Sequence, residues 1–407
     1  MAVPQPILDM HPEVTEWRQH LHMHPEVGYK LPKTTKFVAD KLRGFGFDRV
    51  AASAKEGGDP RRGVAECGVV GVLKGKRRGA RRSIMLRADM DALPIQELND
   101  FAHKSKTDGK FHGCGHDGHT ACLLGAAKHL ATHRNFHGTV YFCFQPAEEG
   151  GAGARAMMEA GLFRKFPCQA IYGAHNWPTM PVGMMGFRDG PMLAASNEFW
   201  ITIKGQGGHA ARPHQAHDPL VVGAQLVMDL QTVISRMRDP VETAVLSVTE
   251  FHAGTTTNVI PGEARLSGTL RSFSSEMMQM MVDAIDLKCR EISLSEHFEA
   301  TVKFSDAPYP PLANTTREYQ RALSVGQQVT QGKVVPQIPL AMGSEDFAYY
   351  LQHDTVTGKA KPGCFMIFGN GDSKMLHNPH YDFNDAAIPH MVHYWTSLVE
   401  TALPIQE

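Results

Sequence analysis

Along the first half of the chain, short apolar runs alternate with stretches whose apolar residues recur at helical spacing. Ser83–Leu86 is such a run, and it leads into Arg87-Ala88-Asp89-Met90-Asp91, read as a strand feeding an acidic loop. Within Thr120–Leu130, the residues Leu123, Leu124, Ala127 and Leu130 share one helical face. Thr139–Phe144 reads as another strand, followed by Gln145-Pro146-Ala147-Glu148-Glu149 and a helix around Arg155–Ala160. Ala170–Ala174 is a further strand that ends at His175. Strands alternating with helices predict an α/β sheet covered by helices, and in such sheets ligands gather at the carboxyl ends of the strands. The acidic loop, the glutamate pair and His175 each follow a predicted strand directly.

From about Asp189 the pattern changes. A strand over Glu198–Lys204 leads to a helix that begins near Pro219 and ends before Pro240. Two strands follow, Ala244–Phe251 and Glu263–Ser272, then a helix from Ser274 to about Ser293 and a strand over Ala300–Phe304. The order β-α-β-β-α-β is the split arrangement of one four-stranded sheet with two helices on one face, a ferredoxin-like unit. After Pro310 the α/β character returns, with helical patterns over Glu318–Thr330 and Ser344–Leu351, a strand over Cys364–Phe368, a His-rich loop and a final helix. The expected organisation is an α/β domain in two parts, 1–188 and 306–407, with 189–305 inserted between them. No internal repeat or low-complexity tract interrupts it.

Composition narrows the class of function. With 407 residues, 42% hydrophobic and 20% charged, the chain has mass for a sizeable core in two domains. A formal net charge of -1 gives no electrostatic reason to expect nucleic acid or an anionic membrane as partner. The basic stretch from Lys74 to Arg82 sits beside glycines and reads as a solvated turn. There is no run of about eighteen apolar residues, so no membrane span is expected, and the N-terminus lacks the pattern of a secretory signal. Seven scattered cysteines read as reduced thiols in a cytoplasmic protein.

The compositional oddity is 22 histidines, and their placement matters more than their number. His112-Gly113-Cys114-Gly115-His116-Asp117-Gly118-His119 stands at the mouth of a predicted helix. Cys114 and His116, separated by a glycine, can turn a thiolate and an imidazole toward one point, which suits a borderline divalent metal. The bland alternative is a Gly-rich turn with a buried thiol, which Asp117 and His119 would not serve. Glu148 and Glu149 repel one another unless a cation lies beside them. One can then bind the metal while the other takes a proton. The alternative is a helix first turn, where glutamate suits the macrodipole. His175, in Gly-Ala-His-Asn-Trp-Pro, and His377, in Leu-His-Asn-Pro-His, add two further metal-type positions, though single histidines are more often structural. Met192 and Leu193 hint at an apolar pocket, although such residues are more often ordinary core.

Taken together, MLRADMDALPIQE, HGCGHDGHTA, FQPAEEG, GAHNWP, GGHAARPH, TNVIPGEA, GTLRSF, GSEDFA and LHNPHYDFND resemble, in order and over nearly the whole chain, the aminoacylase and carboxypeptidase family of metallohydrolases. The likeness is to the branch of hippurate hydrolases and auxin-conjugate (IAA-amino acid) amidohydrolases. It implies a zinc-peptidase-like α/β catalytic domain with an inserted lid and dimerisation domain. It implies two divalent ions per subunit (zinc, manganese, cobalt or nickel) held by Cys114, His116, Glu149, His175 and His377, with Glu148 as general base. The wider family uses a His-x-Asp pair and a bridging carboxylate, where this chain has Arg87-Ala88-Asp89 and a cysteine. Asp89 and Asp91 then become supporting groups that orient ligand histidines or Arg87. His380 competes with His377 for one ligand place, but His377 holds the family position before Asn-Pro.

In the inserted segment, His209 is implied as the group that stabilises the oxyanion, reaching across a homodimer, with higher homo-oligomers left open. Asn258 and Arg271 would hold the carboxylate of the amino acid, the guanidinium offering a planar fork. Without the resemblance, Arg271 reads as a strand-end surface charge, and His214 only braces its loop. The expected activity is hydrolysis of an N-acyl amino acid, with N-aroyl and N-acetyl substrates included, to a carboxylic acid and a free amino acid. The expected partner is that small molecule, with no nucleic acid and no membrane. The rivals are a dipeptidase, carboxypeptidase or carbamoylase on the same scaffold, and a metal-dependent binding protein without catalysis.

Overall fold

The structure, a computed structural model, describes residues 2–52, 67–76, 82–352 and 360–405. It divides into two compact units, one of Met1–Gly190, Ala313–Pro339 and Asp346–Glu407, the other of Pro191–Leu312 and Leu340–Glu345.

Among the described residues, the first unit is built on a mixed eight-stranded sheet. Its order is Arg49–Ala51, Val69–Lys74, Thr139–Gln145, Ser83–Asp89, Ala170–Trp177, Gly363–Gly369, Met185–Gly186 and Val334–Val335. The central strands Thr139–Gln145, Ser83–Asp89, Ala170–Trp177 and Gly363–Gly369 run parallel to one another. Ser83–Asp89 and Gly363–Gly369 are buried at every residue, as expected of parallel strands covered on both faces. The helices Gln5–Met23, His116–His133 and Ile388–Ala402 pack together over this sheet through Val14, Trp17, Leu123, Leu124, Val392 and Trp395.

Parallel register brings the functional ends together, with Asp89 paired to Gln145, and His175 lying beside Ile367. The helix from His116 starts at Gly115, whose φ of 89° is left-handed. A Cβ there would come within 2.3 Å of Asn176 Nδ2 and 2.6 Å of the Tyr381 hydroxyl. Only glycine lets the turn carrying Cys114 sit so close to the strand carrying His175.

The second unit holds a four-stranded antiparallel sheet of order Ala244–Ala253, Glu263–Ser272, Ala195–Lys204, Glu299–Phe304. The helices Pro219–Thr232 and Ser275–Ser293 complete the β-α-β-β-α-β order of a ferredoxin-like fold. Alternation sets the buried face: Phe199, Ile201 and Ile203 point into the core while Trp200 and Lys204 point out. Both helices are capped as their sequences require, Asp218 accepting the Leu220 N–H and Ser274 accepting the Met277 N–H.

Three local readings change. The strand from Ser83 continues through Arg87 to Asp89 instead of opening into a loop at Leu86. An arginine ends an apolar run on paper, but Arg87 is buried with Asp89, Gln145 and Asp346 as partners. The helix expected over Ser344–Leu351 is confined to Ala348–Leu351, because Ser344 and Glu345 belong to the other unit and Asp346 is engaged with Arg87, Gln145 and the Ala154 N–H. The helices Gln5–Met23 and Pro32–Gly44 were not anticipated. The basic turn between Lys74 and Arg82 lies partly outside the described residues. Among the described residues no helix is long and apolar enough to cross a membrane.

Candidate metal centre

Four chain segments of the first unit converge at the carboxyl edge of the sheet. Cys114 and His116 come from the glycine turn and first residue of the helix His116–His133, and His175 from the strand Ala170–Trp177. Glu148 and Glu149 follow the strand Thr139–Gln145. His377 comes from the late loop and is tied in by its N–H donating to the Gly113 carbonyl at 2.8 Å. Ala147 (φ 54°) and His377 (φ 63°) both hold left-handed backbone, a conformation costing of order 1–3 kcal/mol for non-glycine residues and typical of functional sites.

Cys114, His116 and His175 place one donor atom each within 4.8 Å of one another, and so do Cys114, Glu149 and His377. The thiol is common to both groups. His116, Glu148 and Glu149 form a third group on the same criterion. Cys114 Sγ lies 3.3 Å from His175 Nε2, and Glu149 Oε1 lies 3.2 Å from His377 Nε2. His380 is exposed and belongs to none of these groups.

The electrostatics call for added positive charge. Burial, reinforced by Glu149, Glu148 and Asp89, pushes the Cys114 thiol well above its ordinary range. Burial opposes charge on His116, but Asp89, Asp91 and Glu149 outweigh it and raise that imidazole to about 10. His175 is driven the other way, well below its ordinary value, by burial and by His119, which leaves it a neutral donor. His116 Nε2 is buried without a hydrogen-bond partner, although carboxylate oxygens of Asp89 and Glu148 stand 3.8 and 3.9 Å away. A thiol, imidazoles and carboxylates packed in this way fit divalent cations by donor chemistry and by charge.

A buried layer holds these groups from behind. Asp91 accepts the backbone N–H of Glu148 at 3.0 Å on one oxygen and that of Glu149 at 3.1 Å on the other. Its own carbonyl lies 2.9 Å from His116 Nδ1, so one residue orients both the glutamate pair and a ring. Asp89 pairs with His119 Nδ1 at 2.6 Å and with Arg87 at 2.7 Å. His119 Nε2 then accepts the Asn176 N–H at 2.9 Å. Asn176 Nδ2 donates to the Cys114 carbonyl at 2.7 Å, and Tyr381 donates to Asn176 Oδ1 at 2.7 Å. Deeper still, Asp346 takes Arg87 at 3.0 Å and Gln145 Nε2 at 2.8 Å.

Sequence reasoning overlooked one ring of this layer. Buried His22 reaches Asp117 at 2.8 Å through Nδ1 and Glu97 at 3.1 Å through Nε2. Arg18, also buried, bonds Asp382 at 2.9 Å and Asp385 at 2.7 Å. The available signal was the pair of charged residues four apart on the inner face of the first helix. Buried His112 has no hydrogen-bond partner at either ring nitrogen.

In the second unit, the strand Gly208–His209 pairs with Val259–Ile260, and the Ala210 N–H donates to the Asn258 carbonyl at 3.1 Å. His209 and Asn258 are therefore neighbours, and both are exposed. The Ala211 N–H donates to His209 Nδ1 at 3.1 Å, so the neutral ring carries its proton on Nε2. Arg271 is half-buried on the strand Glu263–Ser272 and donates to the Leu270 carbonyl at 2.9 Å and to the Thr269 hydroxyl. His214 is exposed in the short turn Pro213–Gln215.

The model of peptidase family M20/M25/M40 matches residues 85–401. The hippurate hydrolase of Campylobacter jejuni is 35% identical over 394 residues, covering 96% of this chain and 97% of that protein. The N-acyl-L-amino acid amidohydrolase of Geobacillus stearothermophilus is 40% identical over 304 residues, covering 74% of this chain and 78% of that protein. Among solved structures, a dinuclear metal-binding peptidase of the M20 family from Bacillus subtilis matches with a TM-score of 0.80 and 31% identity, covering 97% of this chain and 99% of its own.

Proposed function

The chain belongs to peptidase family M20/M25/M40, and we propose that it is an amidohydrolase that cleaves N-acyl amino acids to a carboxylic acid and a free amino acid. The observation that carries this reading is the Cys114 thiol shared by two donor groups, with buried Glu148 beside them. Cys114, His116, Glu149, His175 and His377 would hold two divalent ions, and zinc, manganese, cobalt or nickel suits a thiolate, imidazole and carboxylate set. Bound there, the ions supply Lewis-acid polarisation of the amide carbonyl and lower the pKa of water.

The chain's own residues supply the rest. Glu148 accepts a proton from the attacking water and returns it to the leaving amine nitrogen. Its backbone is fixed by the bond from its N–H to Asp91. His209 would donate from Nε2 to the developing oxyanion, a role supported by the acceptor state of its Nδ1. Arg271 and Asn258 would take the substrate carboxylate. A homodimer formed through the second unit completes the proposed assembly, with the small N-acyl amino acid as partner.

Glu148→Gln provides the test, because it keeps size and removes basicity. Amine release from a panel of N-benzoyl and N-acetyl amino acids should fall by about 10²–10⁴ while bound metal stays at the wild-type level. Amine release should also stop when a chelator strips the wild-type protein. Turnover retained by Glu148→Gln would overturn the assignment of base. No release by the metal-loaded wild type from any panel member would overturn the activity.

A further inference from the structure

We propose that His297 is a positioning residue for His209, acting through a ring stack on His217. This rests on the reading of His209 as the oxyanion donor. The segment that carries His209 leaves the sheet after Lys204 and returns at the helix beginning at Pro219. Its foot is closed by two backbone hydrogen bonds, Gln206 N–H to the His217 carbonyl at 2.9 Å and His217 N–H to the Gln206 carbonyl at 2.8 Å. The His217 and His297 rings lie flat on one another, 3.9 Å between centroids and 6° between planes, and Phe298 stands edge-on to His217 at 6.1 Å.

The foot has little slack. A Cβ on Gly205 would come within 2.3 Å of the His217 carbonyl oxygen and 3.0 Å of the Phe298 ring. His297 and Phe298 belong to the turn between the helix Ser275–Ser293 and the edge strand Glu299–Phe304, and Phe298 packs against the core of the unit, so the stack ties the loop to a turn seated on that core. At the other end of the loop, His209 is held through the pairing with Val259, the Arg212 N–H to the His209 carbonyl at 2.8 Å and the Ala211 N–H to the His209 ring at 3.1 Å. Two anchors fix a short loop better than one. Without the stack, the foot can tilt while the tip remains bonded, and the Nε2 proton loses its aim. A misplacement of about 1 Å costs on the order of 10²-fold in rate, so even partial loosening is measurable.

The experiment compares His297→Ala, His297→Phe and His209→Ala in the metal-loaded full chain, with N-benzoylglycine as substrate and amide hydrogen exchange as the second readout. His297→Ala should lower kcat about tenfold with KM little changed. It should also speed exchange at the Gln206 and His217 amides, whose hydrogen bonds close the foot, about tenfold. His297→Phe keeps a flat ring on His217 and should restore both. Unchanged kcat and exchange in His297→Ala would overturn the proposal. So would a His297→Phe variant as impaired as His297→Ala while melting like wild type. If His209→Ala keeps full kcat, the catalytic reading of His209 fails, and the exchange data alone then decide whether His297 orders the loop.

Discussion

In the first unit, Cys114, His116 and His175 are gripped from behind by side chains and carbonyls that are themselves buried. Asp91 stands behind His116, Asn176 bonds the Cys114 carbonyl, and the Asn176 carbonyl lies 2.6 Å from His175 Nδ1. Apart from the contact between neighbours His175 and Asn176, these ties join residues far apart in sequence, as does the deeper pair Arg87 and Asp346, and they exist only in the folded unit. In the second unit, the side chains of exposed His209 and half-buried Arg271 bond residues one or two positions away, Ala211 for the first and Leu270 and Thr269 for the second. The first arrangement buys preorganisation at the cost of burying charge, which is tolerable only when each charge is paired. The second leaves groups that can adapt to a substrate, and their aim depends on how well their loop is anchored.

His209→Ala probes the adaptable side and should show the larger loss. Removing an oxyanion donor lowers kcat by about 10²–10³. Metal affinity, measured by competition with a chelator, should not change. Loss of metal in this variant would erase the distinction between the two settings.

Asp91→Asn probes the gripped side. The amide keeps the size but offers one acceptor where the carboxylate serves two N–H groups, and its NH₂ faces a donor. Changes of this kind typically cost about 10–100-fold in metal affinity or activity. Here both should fall together, because the Asp91 carboxylate accepts both glutamate N–H groups and also stands 3.4 Å from His116 Nδ1. A variant that loses turnover with wild-type metal affinity would show that Asp91 serves Glu148 alone.

The same contrast decides what the sequence made legible. The candidate ligands stand in dense local strings, HGCGHDGH and PAEEG, where residue type and spacing carry the chemistry before any fold is known. The inserted β-α-β-β-α-β unit was readable because its strands alternate cleanly and its helices carry their own caps. Arg18, His22 and Arg87 were not readable as buried groups. Each is charged or polar on paper, and its burial follows only from carboxylates that tertiary packing delivers: Asp382 and Asp385, Asp117 and Glu97, Asp89 and Asp346. The short helix at Ala348 was misjudged for a related reason, since helical spacing does not register that Asp346 is claimed by partners elsewhere.

The smallest expected effect concerns stability and belongs to the gripped side. Burial disfavours charge on His22, but hydrogen bonds to Asp117 and Glu97 and the charge of Asp117 outweigh it and raise the group to about 9. In the unfolded chain the same ring titrates near its ordinary value of about 6.5. A raised folded value means that the contribution is fully present below about pH 6.5 and is lost as pH climbs through about 9, on the order of 3 kcal/mol in all. The melting temperature of the first unit should therefore decline between about pH 7 and 9, and amide exchange in the helix Gln5–Met23 should quicken over the same interval. His22→Gln should start less stable and lose that slope, since a glutamine amide keeps one hydrogen bond and carries no proton to give up. The second unit contains no part of this ion pair, so its exchange should not follow His22. A wild-type melting profile that stays flat from pH 7 to 9 would mean that the folded cluster holds no extra proton there, with the ring neutral between two ionised carboxylates.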